Sequence, residues 1–176
     1  MTTATIGDRK RDTSIARSML QEFEHEVGTT RKFLERIPGD QLGWRPHAKS
    51  LSIGQLGLHI ATLPEGVFDL AVPDRVQAPN FGAFPQPNSI DEVLSGLDRS
   101  AAHVREALPK VSDERMHETF AIMKGDHAIL TMPRAQFLRL IMLNHWYHHR
   151  GQLGVYLRLI GATVPSRYGP SGDESM

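Results

Sequence analysis

The chain has 176 residues, no cysteine, and 20 Lys and Arg against 20 Asp and Glu, so its formal net charge is zero. This length suits one domain with a core of its own, and 40% hydrophobic with 23% charged residues excludes a chain disordered throughout. Balanced charge argues against a dedicated nucleic-acid partner, and the lack of cysteine excludes disulfides, thiolate metal sites and cysteine nucleophiles.

Residues 1–13, with Arg9, Lys10 and Arg11 together, read as a flexible, solvated N-terminal tail without the apolar core of a secretory signal. No stretch approaches the ~20 apolar residues that cross a bilayer. A soluble, cytoplasmic protein with no membrane partner is expected.

The periodicity predicts a first helix from about Ser14 to Ile37, with Ile15, Met19, Phe23, Val27, Phe33 and Leu34 on one face. Glu22, Glu24, Glu26, Arg31 and Lys32 fall mainly between those positions, and Thr30 interrupts the stripe. Pro38-Gly39-Asp40 ends it. A loop with Trp44, Pro46 and His47 follows. A second helix, capped by Ser50 or Ser52, runs through Ile53, Leu56, His59, Leu63 and Leu70, with Pro64 either kinking or splitting it.

Residues 73–88 hold four prolines and two asparagines and read as a loop, pinned to the body by Phe81 and Phe84. Ser89 and Glu92 form a capping-box pattern for a third helix that Pro109 stops. Between Glu118 and Met132 the period changes, which predicts a small β-hairpin or a tight loop. The last helix is expected from Pro133 to about Ile160, with Gly161 as its C-cap. The tail, residues 162–176, is rich in Ser, Gly and Pro and is expected to fray. Four long helices over residues 14–161 read as an all-α four-helix bundle. Met19, Phe23, Leu97 and Val104 exceed the apparent needs of one core, which points to a homodimer.

Histidine is the unusual feature: there are nine, with His145, His148 and His149 inside five residues. Phe137, Ile141, His145, His149, Gln152 and Tyr156 follow spacings of three and four and share one helix face. His59 holds the same kind of position between Leu56 and Leu63. Three imidazoles from two helices are therefore expected in one interior. Two readings stay open on this pattern: hydrogen-bonded core histidines, or a metal site with an open position. There is no Glu inside the His145–His149 motif, so it is not the protease pattern H-E-x-x-H. His148 reads as a bystander. Gln152 is placed to support His149 or touch a substrate. Arg150 is a candidate partner for a substrate carboxylate, with an exposed salt bridge as the alternative. His47 either reaches the mouth of the site or packs its own loop.

Two segments carry a resemblance: Trp44-Arg45-Pro46 with Ser52-Ile53-Gly54-Gln55-Leu56 and His59-Ile60-Ala61, and Asn144-His145-Trp146-Tyr147-His148-His149-Arg150-Gly151-Gln152-Leu153. Together they resemble the DinB/YfiT-like metalloprotein superfamily, from about Ser14 to Gly161. The resemblance implies an up-down-down-up four-helix bundle, often a homodimer. It also implies a divalent cation, nickel, zinc or similar, held by His59, His145 and His149. Characterised members include transferases and isomerases that use low-molecular-weight thiols such as bacillithiol or mycothiol, and many have no known activity. A metal-dependent enzyme acting on a small molecule with an external thiol is the leading expectation. The alternatives are a metal-dependent hydrolase and a non-catalytic, metal-stabilised or stress-related dimeric binding protein.

Overall fold

The computed structural model describes residues 14–80, 82 and 84–175, so the expectations for the N-terminal tail and for Phe81 lie outside the described residues. In chain order the elements are α1 (Ile15–Leu34), α2 (Ile53–Leu70), β1 (Arg75–Gln77), α3 (Ile90–Ala107), α4 (Asp113–His117), β2 (Thr119–Lys124) and β3 (His127–Pro133). A continuous helical run then comprises α5 (Arg134–Phe137), a π-helical segment (Leu138–Asn144) and α6 (His145–Leu159). The all-α expectation is thus corrected to a mostly helical fold with a small three-stranded sheet.

The caps explain where the helices begin. Ser14 accepts from the Arg17 N–H, and Ser52, rather than Ser50, forms a full capping box with Gln55. Ser89 accepts from the Glu92 N–H, but the Glu92 carboxylate accepts from Asn88 instead of completing the box.

Pro64 does not split α2. Having no N–H, it leaves the Ile60 carbonyl without its helical donor. The indole Nε1–H of Trp146 donates to that carbonyl at 2.8 Å, while the Glu65 N–H donates to Ser100 Oγ at 3.0 Å. Orphaned, such buried groups would each cost about 1–3 kcal/mol. The repair also fixes the depth of the last helix against α2, because Trp146 is fully buried and stacks on Phe23 of α1 at 5.3 Å between ring centroids.

The expected hairpin is present. β2 and β3 pair antiparallel around Gly125, which adopts φ +60°, a conformation natural for glycine at a tight turn. Ile122 pairs with Leu130 and Met123 with Ala128, so Ile129 is the extra residue of a bulge and stands exposed. Residues 73–88 are not all loop: β1 pairs in parallel with β2 from Arg75–Ala121 to Gln77–Met123. Buried Arg134 ties the sheet to the helices. It donates to the carbonyls of Ala71 and Arg115 at 2.5 and 2.7 Å and to Asp74 at 3.0 Å.

The fraying tail is also corrected. The Asp173 carboxylate accepts from Arg158 and from the Val164 N–H, and that of Glu174 accepts from Arg36 and the Ser166 N–H. Arg167 lies over the Phe33 ring. Ser, Gly and Pro content indicated freedom, but two carboxylates near the terminus anchor the segment to α6 and to the turn that follows α1. Met19, Phe23, Leu97 and Val104 are all buried in the chain's own core, so they supply no surplus surface for a second copy.

Candidate metal centre

His59 comes from α2, and His145 and His149 come from the first turns of α6. Their rings meet: centroid separations are 4.4 Å for His145–His149, 4.7 Å for His59–His149 and 5.6 Å for His59–His145. One ring nitrogen from each lies within 4.8 Å of the others. All three are only part-buried, so the cluster is neither sealed in the core nor spread on the surface.

The local sequence sets this geometry. Residues four apart drift by about 40° per step on an α-helix. The wider turns of the π segment take up that drift, so Phe137, Ile141 and His145 all reach the same cleft. Such π segments recur at functional sites. The Trp146–Ile60 hydrogen bond then sets α6 beside α2 at the level of His59.

Gln152 fixes the chemistry of His149. Its Oε1 lies 3.0 Å from His149 Nδ1 and accepts from Nδ1–H, which leaves His149 Nε2 as a bare lone pair. That lone pair faces His145 Nε2 at 2.6 Å. Two bare nitrogens so close would repel, so with both rings neutral the His145 Nε2–H donates to that lone pair. His145 Nδ1 is buried without a hydrogen-bond partner of good geometry, although the Ile141 carbonyl acts weakly on it.

All three imidazoles are held neutral. Burial, then the charges that His149 and His145 would carry, lowers the His59 pKa to about 4. Burial and the neighbouring histidines lower His145. For His149, burial and His148 lower it and outweigh the opposing Gln152 hydrogen bond. Neutral imidazole is the metal-binding form, and a set of three nitrogens suits zinc, nickel, copper or iron. The residues therefore fit a divalent cation and leave coordination positions for a guest.

A pH dependence follows for the metal-free chain. Between about pH 6.5 and 4 the unfolded state protonates His59 and the folded state does not. Unfolding takes up a proton in that window, so stability falls as pH drops through it and is fully present above it. Melting temperatures of the metal-free protein and of His59→Leu, compared from pH 7 to pH 4, should diverge, with the parent falling more. Parallel curves would contradict the neutral, buried state of His59.

The remaining candidates are placed elsewhere. His148 is exposed and outside the cluster. His47 is exposed and remains in its own loop, where Nδ1 accepts from the Lys49 N–H at 3.1 Å. Arg150 is a correction: its side chain is 1% exposed and neither meets the cleft nor forms an exposed salt bridge. It pairs with Glu26 of α1 at 2.5 Å, donates to Thr30 Oγ1 at 3.1 Å, and donates to the Tyr168 hydroxyl at 2.6 Å. Tyr168 in turn donates to Glu26 at 3.0 Å.

Sequence reasoning missed the role of Gln55 and Phe84. The Gln55 amide donates to the Phe84 carbonyl at 2.8 Å, and the Phe84 ring stands edge-on to His59 at 5.2 Å. Gly54 lets the Leu42 carbonyl and the Gln86 amide pack against the start of α2, because a Cβ there would lie 2.8 Å and 2.7 Å from them. Beyond the histidines opens a cleft of about 480 Å³ between α2, the hairpin and the π segment. His59 and His145 form part of its wall. The Ser52-x-x-Gln55 pattern was the available signal, and in sequence it reads only as a serine cap at Ser50 or Ser52.

Comparison with known proteins agrees with this architecture. A DinB-like protein from Bacillus cereus ATCC 10987 superposes with a TM-score of 0.69 at 23% identity, covering 86% of this chain and 97% of that one. A DinB-like protein from Bacillus subtilis gives 0.65 at 20% identity, covering 86% and 97%. In sequence, the uncharacterized protein YrdA of Bacillus subtilis strain 168 is 26% identical over 157 residues, covering 88% of this chain and 89% of its own. The family model for the DinB family matches residues 8–175. The chain belongs to the DinB family.

Proposed function

We propose that this protein binds a divalent metal through His59, His145 and His149 and uses it in a reaction between a small molecule and an external thiol. One observation carries the reading: three neutral imidazoles from two helices converge beside a cleft that can admit a guest. The four long helices are read as the up-down-down-up bundle of this family. A divalent ion held there would supply Lewis acidity, acidifying a coordinated water or thiol.

The chain's own residues do the rest. Gln152 holds His149 in one tautomer and orientation. Phe84 shields the outer face of His59. The chain has no cysteine, so a thiol nucleophile must come from solution. Among the described residues no Asp or Glu lines the cleft, which leaves no carboxylate there to act as general base for hydrolysis. This favours a nucleophile that the metal alone can deprotonate, and a thiol needs less help than water. A purely structural staple is less favoured, because α2 and the last helix are already joined through the Trp146–Ile60 hydrogen bond.

The test is spectroscopic. Cobalt(II)-loaded protein should develop a sulfur-to-metal charge-transfer band when a small thiol is added, and His149→Ala should develop none. A spectrum that every thiol leaves unchanged would remove the thiol from the reading.

A further inference from the structure

The cleft beside the histidines has its own chemistry. Its walls are Leu63 and Val67 of α2, Ile122 and Leu130 of the hairpin, and Phe137 and Ile141 of the last helical run. Its polar side chains other than histidine are Thr62, which donates to the Leu58 carbonyl at 3.0 Å, and Asn80, whose Oδ1 accepts from the Gly82 N–H at 3.0 Å, so one neutral amide is the only other donor in the lining among the described residues. No charged side chain lines it among the described residues. A carboxylate or phosphate entering would lose its hydration and meet no fixed cation beyond the one at the histidines.

Gly66 lines the exposed rim of the cleft. It lies inside α2, where glycine weakens a helix, and a Cβ placed on it would meet nothing within 4 Å. A larger side chain there has room to lie over the mouth of the cleft.

We propose that this cleft binds the neutral, apolar body of a small-molecule ligand whose single donor group is directed at the histidines, and that it discriminates against ligands bearing a second, anionic group on that body. Only the placement of the donor group rests on the metal reading above. The apolar binding rests on the walls. A volume of about 480 Å³ falls within the range of pockets that enclose small organic ligands.

The test compares benzyl mercaptan with 3-mercaptopropionate on zinc-loaded protein by calorimetry. Benzyl mercaptan should bind at least about tenfold more tightly, since burying a ring outweighs a solvated carboxylate at an apolar wall. Gly66→Leu places a branched side chain at the mouth of the cleft, from a helical position that favours leucine. It should weaken benzyl mercaptan by about tenfold or more, change 3-mercaptopropionate by less than about threefold, and leave the metal content unaltered. Equal affinities, tighter binding of the anion, or indifference to Gly66→Leu would overturn the inference while leaving the metal reading intact.

A second arm needs no metal. Benzyl alcohol added to the metal-free chain should shift the methyl resonances of Leu63, Val67 and Ile141 in the parent and not in Gly66→Leu. If the protein takes up no metal and these shifts still occur, the cleft inference is supported and only the metal reading fails. If they are absent, the inference is wrong.

Discussion

Replacing Glu26 with Gln should destabilise the metal-free chain by about 3–5 kcal/mol, because it leaves the Arg150 guanidinium buried without its counter-charge. Both side chains are nearly inaccessible, 1% for Arg150 and 5% for Glu26, so water cannot take the place of the lost carboxylate charge. The pair joins α1 to α6, and the Tyr168 hydroxyl brings the C-terminal segment into the same network. For a chain of this length such a loss corresponds to a Tm drop on the order of 10 °C. Urea unfolding of metal-free protein measures it without a contribution from bound metal. Glu26→Leu combined with Arg150→Met removes both charges, and the double variant should recover most of the loss. If the double variant were as unstable as the sum of its single variants, the ion pair would not be the source of the effect.

This network also shows where sequence reading stops. Glu26 lies in a run with Glu22 and Glu24 that looks like a solvated face, and only its position one residue before buried Val27 hints otherwise. Its partner lies 124 residues away, a separation that local periodicity cannot bridge. Arg150 reads as either an exposed salt bridge or a partner for a substrate carboxylate, yet adjacent helix positions face different directions. His149 looks toward the cluster and Arg150 toward α1.

The readable parts were those set by local chemistry. A serine cap for α2 at Ser50 or Ser52, a hairpin or tight loop between Glu118 and Met132, Gly161 past the last helix, and the i, i+4 pair His145 and His149 all act within a few residues. β1 was missed because a three-residue strand among prolines has no period of its own and exists only through its pairing with β2. The π segment was missed because nothing in Leu138–Asn144 distinguishes it from an α-helix by composition. The docked C-terminus was missed because Asp173 and Glu174 reveal their role only when Arg158 and Arg36 are in place.

The second large effect concerns the cation itself. Loss of one of three imidazole ligands should weaken metal affinity by more than about 100-fold, beyond the 10–100-fold typical when a residue that only orients a ligand is removed. Gln152→Ala belongs to the latter class: it frees the His149 ring without deleting a donor, and should weaken binding by about 10–100-fold. The graded pair separates a ligand from a positioning residue. It also gives Gln152 a test that a merely structural role would not satisfy, since its removal should leave the unfolding free energy of the metal-free chain nearly unchanged. Competition with a chelator of known affinity provides the measurement.

The most direct test of the whole account is elemental analysis of the purified protein beside His145→Ala, with folding of both checked by circular dichroism. The account predicts about one equivalent of a divalent transition metal per chain in the parent and essentially none in the variant. Equal and low occupancy in the two, after exposure to zinc and nickel, would contradict it and leave the three histidines as polar core residues of a helical protein.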